Sequence, residues 1–316
     1  MKKTIKKRAF VSAIAMLIVS AIVLTSSTFA WFSMSKEASV ESMDLTVSSP
    51  EGIQISANAS AWTASLTVDE IFDNDDATTS RYDAYEGNNN LYPADLIPVS
   101  SAFRAANSST GYANFFKAAL NDSGRATATA VTQSKDSQDA AGLIAFDLFF
   151  KVAEAQTVYF GTSTFTDNSN SKILSALRVA FTPLGTVSIG TDAVTAQGLN
   201  AFAAGTKNVV YEVDSLNRSD DAIAAGLTAG AKETKPLTST FTNVETYGGV
   251  VAAAGNINTV QGTLVTDKTD ASAKSFNLSA GITKVRVYIW VEGQDVDCLN
   301  SVAGAALTAN LKFTID

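Results

Sequence analysis

Two segments near the end of the chain alternate strictly between apolar and polar residues, and this alternation limits the fold more than any other feature. From Lys284 to Asp295, one face collects Val285, Val287, Ile289 and Val291, and the other takes Arg286, Tyr288, Trp290 and Glu292. From 307 to 315, the apolar positions are Leu307, Ala309, Leu311, Phe313 and Ile315. Such a period of two is that of a β-strand, whose successive side chains point to opposite faces of a sheet. Both segments are therefore predicted to be strands.

The same signal recurs along the chain and predicts an all-β protein. Further strands are expected at 38–47, 52–56, 143–152, 158–165, 176–184 and 209–213. Because only a short polar turn separates 143–152 from 158–165, these two are expected to form a hairpin-like pair. Strands joined by turn-rich links, without a regular alternation of strand and helix, favour an antiparallel β-sandwich of the jelly-roll type.

Region 57–142 differs in composition from the predicted strands. It is dense in Asn, Asp, Ser, Thr and Ala and has poor periodicity, so it is expected to be a long loop-rich insertion. Short helices are expected at 112–120 and in a segment for which Ser219 is the N-cap. Since no repeat or linker divides the chain, we expect one domain from 51 to 316, preceded by an N-terminal strand or extension at 31–50.

The N-terminus has the layout of a secretory signal. Five basic residues within 2–8 precede an apolar run from Ala9 to Leu24, and a small-residue site ends at Ala30. The run has 16 residues, whereas a helix that spans a bilayer needs about 20. Cleavage by a signal peptidase after residues 1–30 is therefore expected, and an uncleaved hydrophobic helix that contacts the membrane through 9–24 is the alternative. In both cases the rest of the chain is expected to be extracellular.

Composition excludes several classes of function. Removal of residues 1–30 takes away five of the 23 basic residues and none of the 31 acidic ones, which leaves a net charge of −13. A surface this acidic repels phosphate backbones, so nucleic acid is not an expected partner. The chain has no histidine, which excludes zincin sites and the common Ser–His and Cys–His nucleophiles. Its single cysteine, Cys298, cannot form an intramolecular disulfide and is expected to be a small core residue.

The N-terminal region resembles the TasA/camelysin group of exported Firmicute proteins of biofilm matrix and cell surface. The resemblance rests on the small-aromatic cluster at 28–32 and on the strand Met43-Asp44-Leu45-Thr46-Val47 that follows it. It implies a jelly-roll subunit that polymerises when the first strand of one copy enters a groove in its neighbour, which is a form of β-augmentation. The residues that match this donor-strand pattern are Val40, Met43, Leu45 and Val47. The alternative is that they form an ordinary first strand of their own domain.

Three carboxylates follow the strongest predicted strand and make a weak candidate for a calcium site. They are Glu292, Asp295 and Asp297. Calcium takes six to eight oxygen ligands, which acidic loops commonly supply. The alternative is a solvated acidic turn. No other cofactor is expected.

The favoured function is structural. We expect an exported protein of the bacterial cell surface or extracellular matrix that self-associates as a fibre subunit and has no enzymatic activity. The second hypothesis is a monomeric surface adhesin that is anchored by an uncleaved signal and binds carbohydrate through the loops at 57–142. A carbohydrate-active enzyme is the third, because Trp62, Tyr82, Tyr85 and Tyr92 lie in the same loop region and could stack on sugars.

Overall fold

A computed structural model gives the fold of the chain. It describes residues 40–48, 52–72, 84–85, 87–93, 95–102, 114–120, 126–134, 142–159, 164–169, 172–200, 209–214, 244–247, 274–293, 295, 297–298 and 305–315. The predicted signal at 1–30 and the helix predicted from Ser219 lie outside these residues. Within the described part, no helix has the length and apolar character needed to cross a membrane.

The described residues are mostly β-structure, which confirms the all-β prediction. In chain order the strands are β1 (Val40–Ser48), β2 (Gln54–Ser56), β3 (Ser65–Thr67), β4 (Ser100–Ala102), β5 (Asn114–Leu120), β6 (Ala126–Ala130), β7 (Ile144–Val152), β8 (Gln156–Tyr159), β9 (Thr164–Asp167), β10 (Leu177–Val187), β11 (Val209–Glu212), β12 (Val244–Tyr247), β13 (Lys274–Leu278), β14 (Gly281–Val291), β15 (Ala305–Lys312) and β16 (Thr314–Ile315). The helices are α1 (Val68–Phe72), α2 (Ile173–Ala176) and α3 (Ala193–Gln197).

The strands form four sheets. The terminal sheet has the order β3-β1-β15-β9, and the central sheet has the order β11-β10-β14-β7-β2. An outer sheet has the order β12-β6-β5-β4, and a small sheet has the order β13-β8-β16. Among the described strands, pairing is antiparallel except between β1 and β15 and between β12 and β6.

The main core joins the terminal, central and small sheets. The inward residues of β15 and β14 both contribute to it, as their alternation predicts. Four phenylalanines from the central sheet, the small sheet and the segment between β15 and β16 pack edge to face or tilted at centroid distances of 5.2–6.1 Å: Phe150, Phe181, Phe276 and Phe313. Aromatic rings bury large apolar areas and add a preference for this geometry, so they fix how the sheets meet.

The central sheet is buried on both faces, which the alternation of β14 does not reveal. All residues of β14 are buried, including Tyr288 and Trp290 on the face away from the main core. Phe115 of the outer sheet covers that face, with its ring centroid 5.5 Å from Tyr288 and 5.2 Å from Trp290. A second small cluster covers the same sheet near Phe149, with contributions from α3. The outer face is therefore core and not solvent-exposed surface.

Two predictions about local structure are wrong. The segment predicted as a helix at 112–120 contains β5, which pairs with β4 on one side and β6 on the other. The predicted hairpin of 143–152 with 158–165 does not form, because β7 pairs with β14 and β2 while β8 pairs with β13 and β16. β5 pairs with the strands that precede and follow it in the chain, whereas β7 and β8 each pair with strands outside the predicted hairpin.

Candidate functional site

The first strand, β1, lies in the interior of the terminal sheet between β15 and β3. It runs parallel to β15 from Val40 to Ser48, with a register irregularity between Val40 and Ser42, and it places Leu45 opposite Ala309 and Val47 opposite Leu311. The other residues of the donor-strand pattern, Val40 and Met43, lie in the same strand opposite Ala305 and Leu307. We call the space that β1 occupies between β15 and β3 the β1 slot.

The alternation of β1 determines which of its side chains enter the core. Leu45 and Val47 are buried in the main cluster, and Thr46 between them is exposed. Burial of a branched aliphatic side chain contributes about 1.5–3 kcal/mol to stability. β1 therefore contributes to the stability of its own domain, and whichever strand fills the slot must present two apolar residues at this spacing.

The two edges of β1 are not equally paired. On the β15 side the ladder runs from Val40 to Ser48, whereas β3 pairs only with 46–48. Along 40–45, the described strands thus hold β1 by one edge. Main-chain hydrogen bonds are the sequence-independent part of strand addition, so β1 is held most firmly at its C-terminal end.

The three predicted calcium ligands are buried, so the alternative of a solvated acidic turn is wrong. Glu292, Asp295 and Asp297 have at most 1% of their surface exposed. Asp295 forms an ion pair with the equally buried Arg178, and Trp290 Nε1 donates to Glu292 at 3.1 Å. The backbone N–H of Asp297 donates to Asp295 Oδ1 at 2.8 Å.

Glu292 and Asp295 have protein donors, as buried charges require. Among the described residues, no group of three or more acidic or cysteine side chains has an arrangement that could hold a metal ion. Calcium binding at this turn stays a prediction.

Cys298 lies beside the same carboxylates. It is buried, and burial together with the negative charges of Asp295 and Glu292 raises the pKa of its thiol well above the usual value. A thiol is nucleophilic and readily oxidised only as the thiolate. Cys298 is therefore an unreactive core side chain, in agreement with the prediction from composition.

A second buried charge cluster lies on the outer face of the central sheet, and the sequence analysis missed it. Asp147 of β7 is 3.1 Å from Arg286 NH1 and 3.2 Å from Lys284 Nζ. The hydroxyl of Tyr85 donates to the same carboxylate. The available signal was an acid within the otherwise apolar strand at 143–152, because a buried acid needs a cationic or hydrogen-bonding partner.

The charge balance of this cluster keeps Asp147 ionised. Burial alone would raise the pKa of its carboxyl group, but Arg286, Lys284 and the hydrogen bond from Tyr85 together lower it. Burial lowers the pKa of Lys284, and the attraction of Asp147 opposes that change. The cluster is thus an ion-paired network and not a set of groups available for acid–base chemistry.

The network ties neighbouring segments to the central sheet. Arg286 donates to the carbonyl of Asn89, and the backbone N–H of Asp147 donates to Asn90 Oδ1 at 3.1 Å. Lys284 Nζ donates to the carbonyl of Gln197 at 2.7 Å. These contacts give the cluster an architectural role, because they fix the segment at 87–93 and the end of α3 over β7 and β14.

The aromatic residues considered for sugar stacking have contacts within the protein. Tyr85 donates to Asp147, and the ring of Tyr92 stacks on Phe72 at 4.6 Å between centroids. Lys151 Nζ lies 4.3 Å from the centroid of the Trp62 ring. The fourth residue, Tyr82, lies outside the described part of the chain.

The β1 slot is the best candidate for a functional site among the described residues, because it holds an N-terminal strand through a ladder with β15, a short ladder with β3 and two buried side chains. Comparison with known proteins adds no relative: no family model, no curated protein and no solved structure matches the chain.

Proposed function

We propose that the chain is an exported structural protein of the bacterial cell surface or matrix, with a jelly-roll body, that assembles into fibres by exchange of β1. The observation that carries the proposal is the position of β1: an N-terminal strand fills an interior slot of a sheet through Leu45 and Val47. A β1 strand from a second copy would make the same contacts in that slot. The proposal includes no catalytic activity.

Exchange needs no new contact surface, since donor and acceptor contacts already exist within one copy. Swapping of an identical element is a low-cost route to assembly for this reason. When each copy donates to the next instead of back to the first, the product is an open chain of subunits. The parallel ladder with β15 supplies the pairing, and the two buried side chains supply the register.

A monomeric adhesin anchored by an uncleaved signal is the second candidate. The observation that favours it is that β1 already completes the sheet of its own domain. In this case β1 is structural only, and the loops that connect the strands and helix of region 57–142 would contact the ligand.

A pair of cysteines across β1 and β15 separates the two functions. Thr46 and Asn310 are opposite each other in the ladder, and both are exposed. Neighbouring strands lie about 4.8 Å apart, within the Cα separation that a disulfide spans. Thr46→Cys and Asn310→Cys would be introduced together in a Cys298→Ala background, and the secreted protein would be oxidised at increasing concentration and run on a non-reducing gel.

Exchange predicts a ladder of disulfide-linked oligomers, because the new thiol on β1 of one copy then faces the new thiol on β15 of another. The matched control pairs Thr157→Cys with Asn277→Cys, which face each other across β8 and β13 with side-chain oxygens 3.2 Å apart. This pair lies within the body and should give only intrachain bonds. If the test pair forms only intrachain disulfides at every concentration, the chain is not a fibre subunit that exchanges β1, and the adhesin is the remaining candidate function.

A further inference from the structure

The β1 slot has a distinct flank, which we call the clamp and define as β3 with α1, residues 65–72. β3 enters the terminal sheet through β1, with Leu66 opposite Val47 and Thr67 opposite Thr46. Leu66, Ile71 and Phe72 are buried in the main core. Among the described strands, the clamp is the element that turns the one-sided pairing of β1 into two-sided pairing.

The clamp is held in shape by a reciprocal cap at the start of α1. The backbone N–H of Thr67 donates to Glu70 Oε2 at 2.7 Å, and its hydroxyl donates to the same oxygen at 3.0 Å. In return, the backbone N–H of Glu70 donates to Thr67 Oγ1 at 3.4 Å. This is the capping box, which satisfies free backbone donors at a helix start. Because Thr67 is also the last paired residue of β3, the cap and the ladder to β1 share one residue.

We propose that the clamp controls the rate at which β1 leaves its slot, with Glu70 as the residue that sets its strength. The inference rests on the proposed exchange of β1. Residues 40–45 have one paired edge to release, but 46–48 cannot leave until the ladder with β3 opens. Thr67 takes part in both that ladder and the cap, so the cap holds Thr67 in the position from which it pairs with Thr46. The cap therefore contributes to the barrier for exchange through Thr67.

The test compares two exposed helix caps on the Thr46→Cys/Asn310→Cys chain under oxidising conditions. Glu70→Ala removes the carboxylate half of the capping box of α1, which accepts the backbone N–H and the hydroxyl of Thr67. Asp192→Ala removes the cap of α3, where Asp192 accepts the backbone N–H of Thr195 at 2.9 Å. Both helices have five residues, but α3 packs against the central sheet near Phe149 and Ile282 rather than beside the slot. The rate of formation of interchain disulfides from isolated, freshly reduced monomer is measured for each variant.

Glu70→Ala is expected to accelerate interchain disulfide formation about fivefold, because Thr67 loses the acceptor of two hydrogen bonds. Glu70→Gln keeps one hydrogen-bond acceptor, so its rate of interchain disulfide formation is expected to lie between those of the parent and Glu70→Ala. Asp192→Ala is expected to have the same rate as the parent. If the parent forms interchain product and Glu70→Ala forms it at the same rate, the proposed role of the clamp is wrong, but the proposed exchange of β1 stands. Equal acceleration by Asp192→Ala would also overturn the clamp, because it would indicate general destabilisation. An absence of interchain product in the parent would overturn both proposals.

Discussion

Asp147 and Arg286 face each other directly across β7 and β14, with the Oδ1 and NH1 atoms 3.1 Å apart and both side chains buried. The pair lies on the face of the central sheet that would be solvated in a two-layer sandwich. Here the same face is covered, and the charge pair serves as the attachment point for the segment at 87–93.

Replacement of Asp147 by Asn should destabilise the protein strongly. The change leaves Arg286 and Lys284 buried without their counter-charge, and removal of one partner from a buried pair costs about 3–5 kcal/mol. Urea unfolding followed by tryptophan fluorescence measures the loss. Glu154→Gln, an exposed acid in the turn after β7, is the control and should stay within about 0.5 kcal/mol of the parent. A loss for Asp147→Asn no larger than that of the control would contradict the architectural role of the pair.

The same residue predicts a pH dependence. The pKa of Asp147 is lower in the folded protein than its ordinary value of 3.8. Its contribution to stability is therefore complete above that value and is lost as the pH falls below it through the folded-state pKa. Melting temperatures of the parent and of Asp147→Asn, taken from pH 7 down to 2, should differ by a constant amount at neutral pH and converge below about pH 4. Convergence that begins near pH 6 would show that another group is responsible.

Alanine substitutions along β1 test its place in the core. Leu45→Ala and Val47→Ala should each cost about 2–4 kcal/mol of unfolding free energy, because both side chains are buried. Thr46→Ala, in the same strand but exposed, should cost less than about 1 kcal/mol. The measurement is denaturant unfolding of monomer at low concentration. Equal effects at all three positions would show that β1 does not occupy the slot in the monomer.

Gly281, at the start of β14, is expected not to tolerate substitution by a residue with a side chain. Its φ is +138°, and a Cβ there would lie 2.3 Å from the carbonyl oxygen of Val187. Gly281→Ala must therefore both strain the backbone and displace β10, and its melting temperature should fall well below that of the control. That control is Gly190→Ala, whose φ of +91° carries the strain alone, since nothing lies within 4 Å of the added atom. Similar melting temperatures for the two variants would contradict the close approach.

Elements with strict alternation were predictable, and elements without it were not. Leu307, Ala309 and Leu311 face the core as predicted, because in β15 one face is apolar and the other polar. In β5, adjacent Phe115 and Phe116 followed by Lys117 and two alanines suit a helix as well as a strand. Pairing with β4 and β6 makes this segment a strand, and the residue pattern within the segment does not show that pairing.

The candidate site was predictable to a similar extent. Leu45 and Val47 were identified from their spacing, and their burial agrees with it. Neither the parallel partner β15 nor the flank β3 was predictable, since strand order depends on contacts between remote segments. The burial of Asp295 was also missed, because its partner Arg178 is remote in sequence and becomes a neighbour only in the folded protein.

The ladder between β1 and β15 joins residues that are separated by most of the 316-residue chain. Its closure requires a very large loop, and folds dominated by such long-range pairings form slowly. A chain that is made from its N-terminus presents β1 long before its own β15 exists. During that interval the first strand has no β15 within its own molecule to pair with, so the terminal sheet can close only after the last strands have been made.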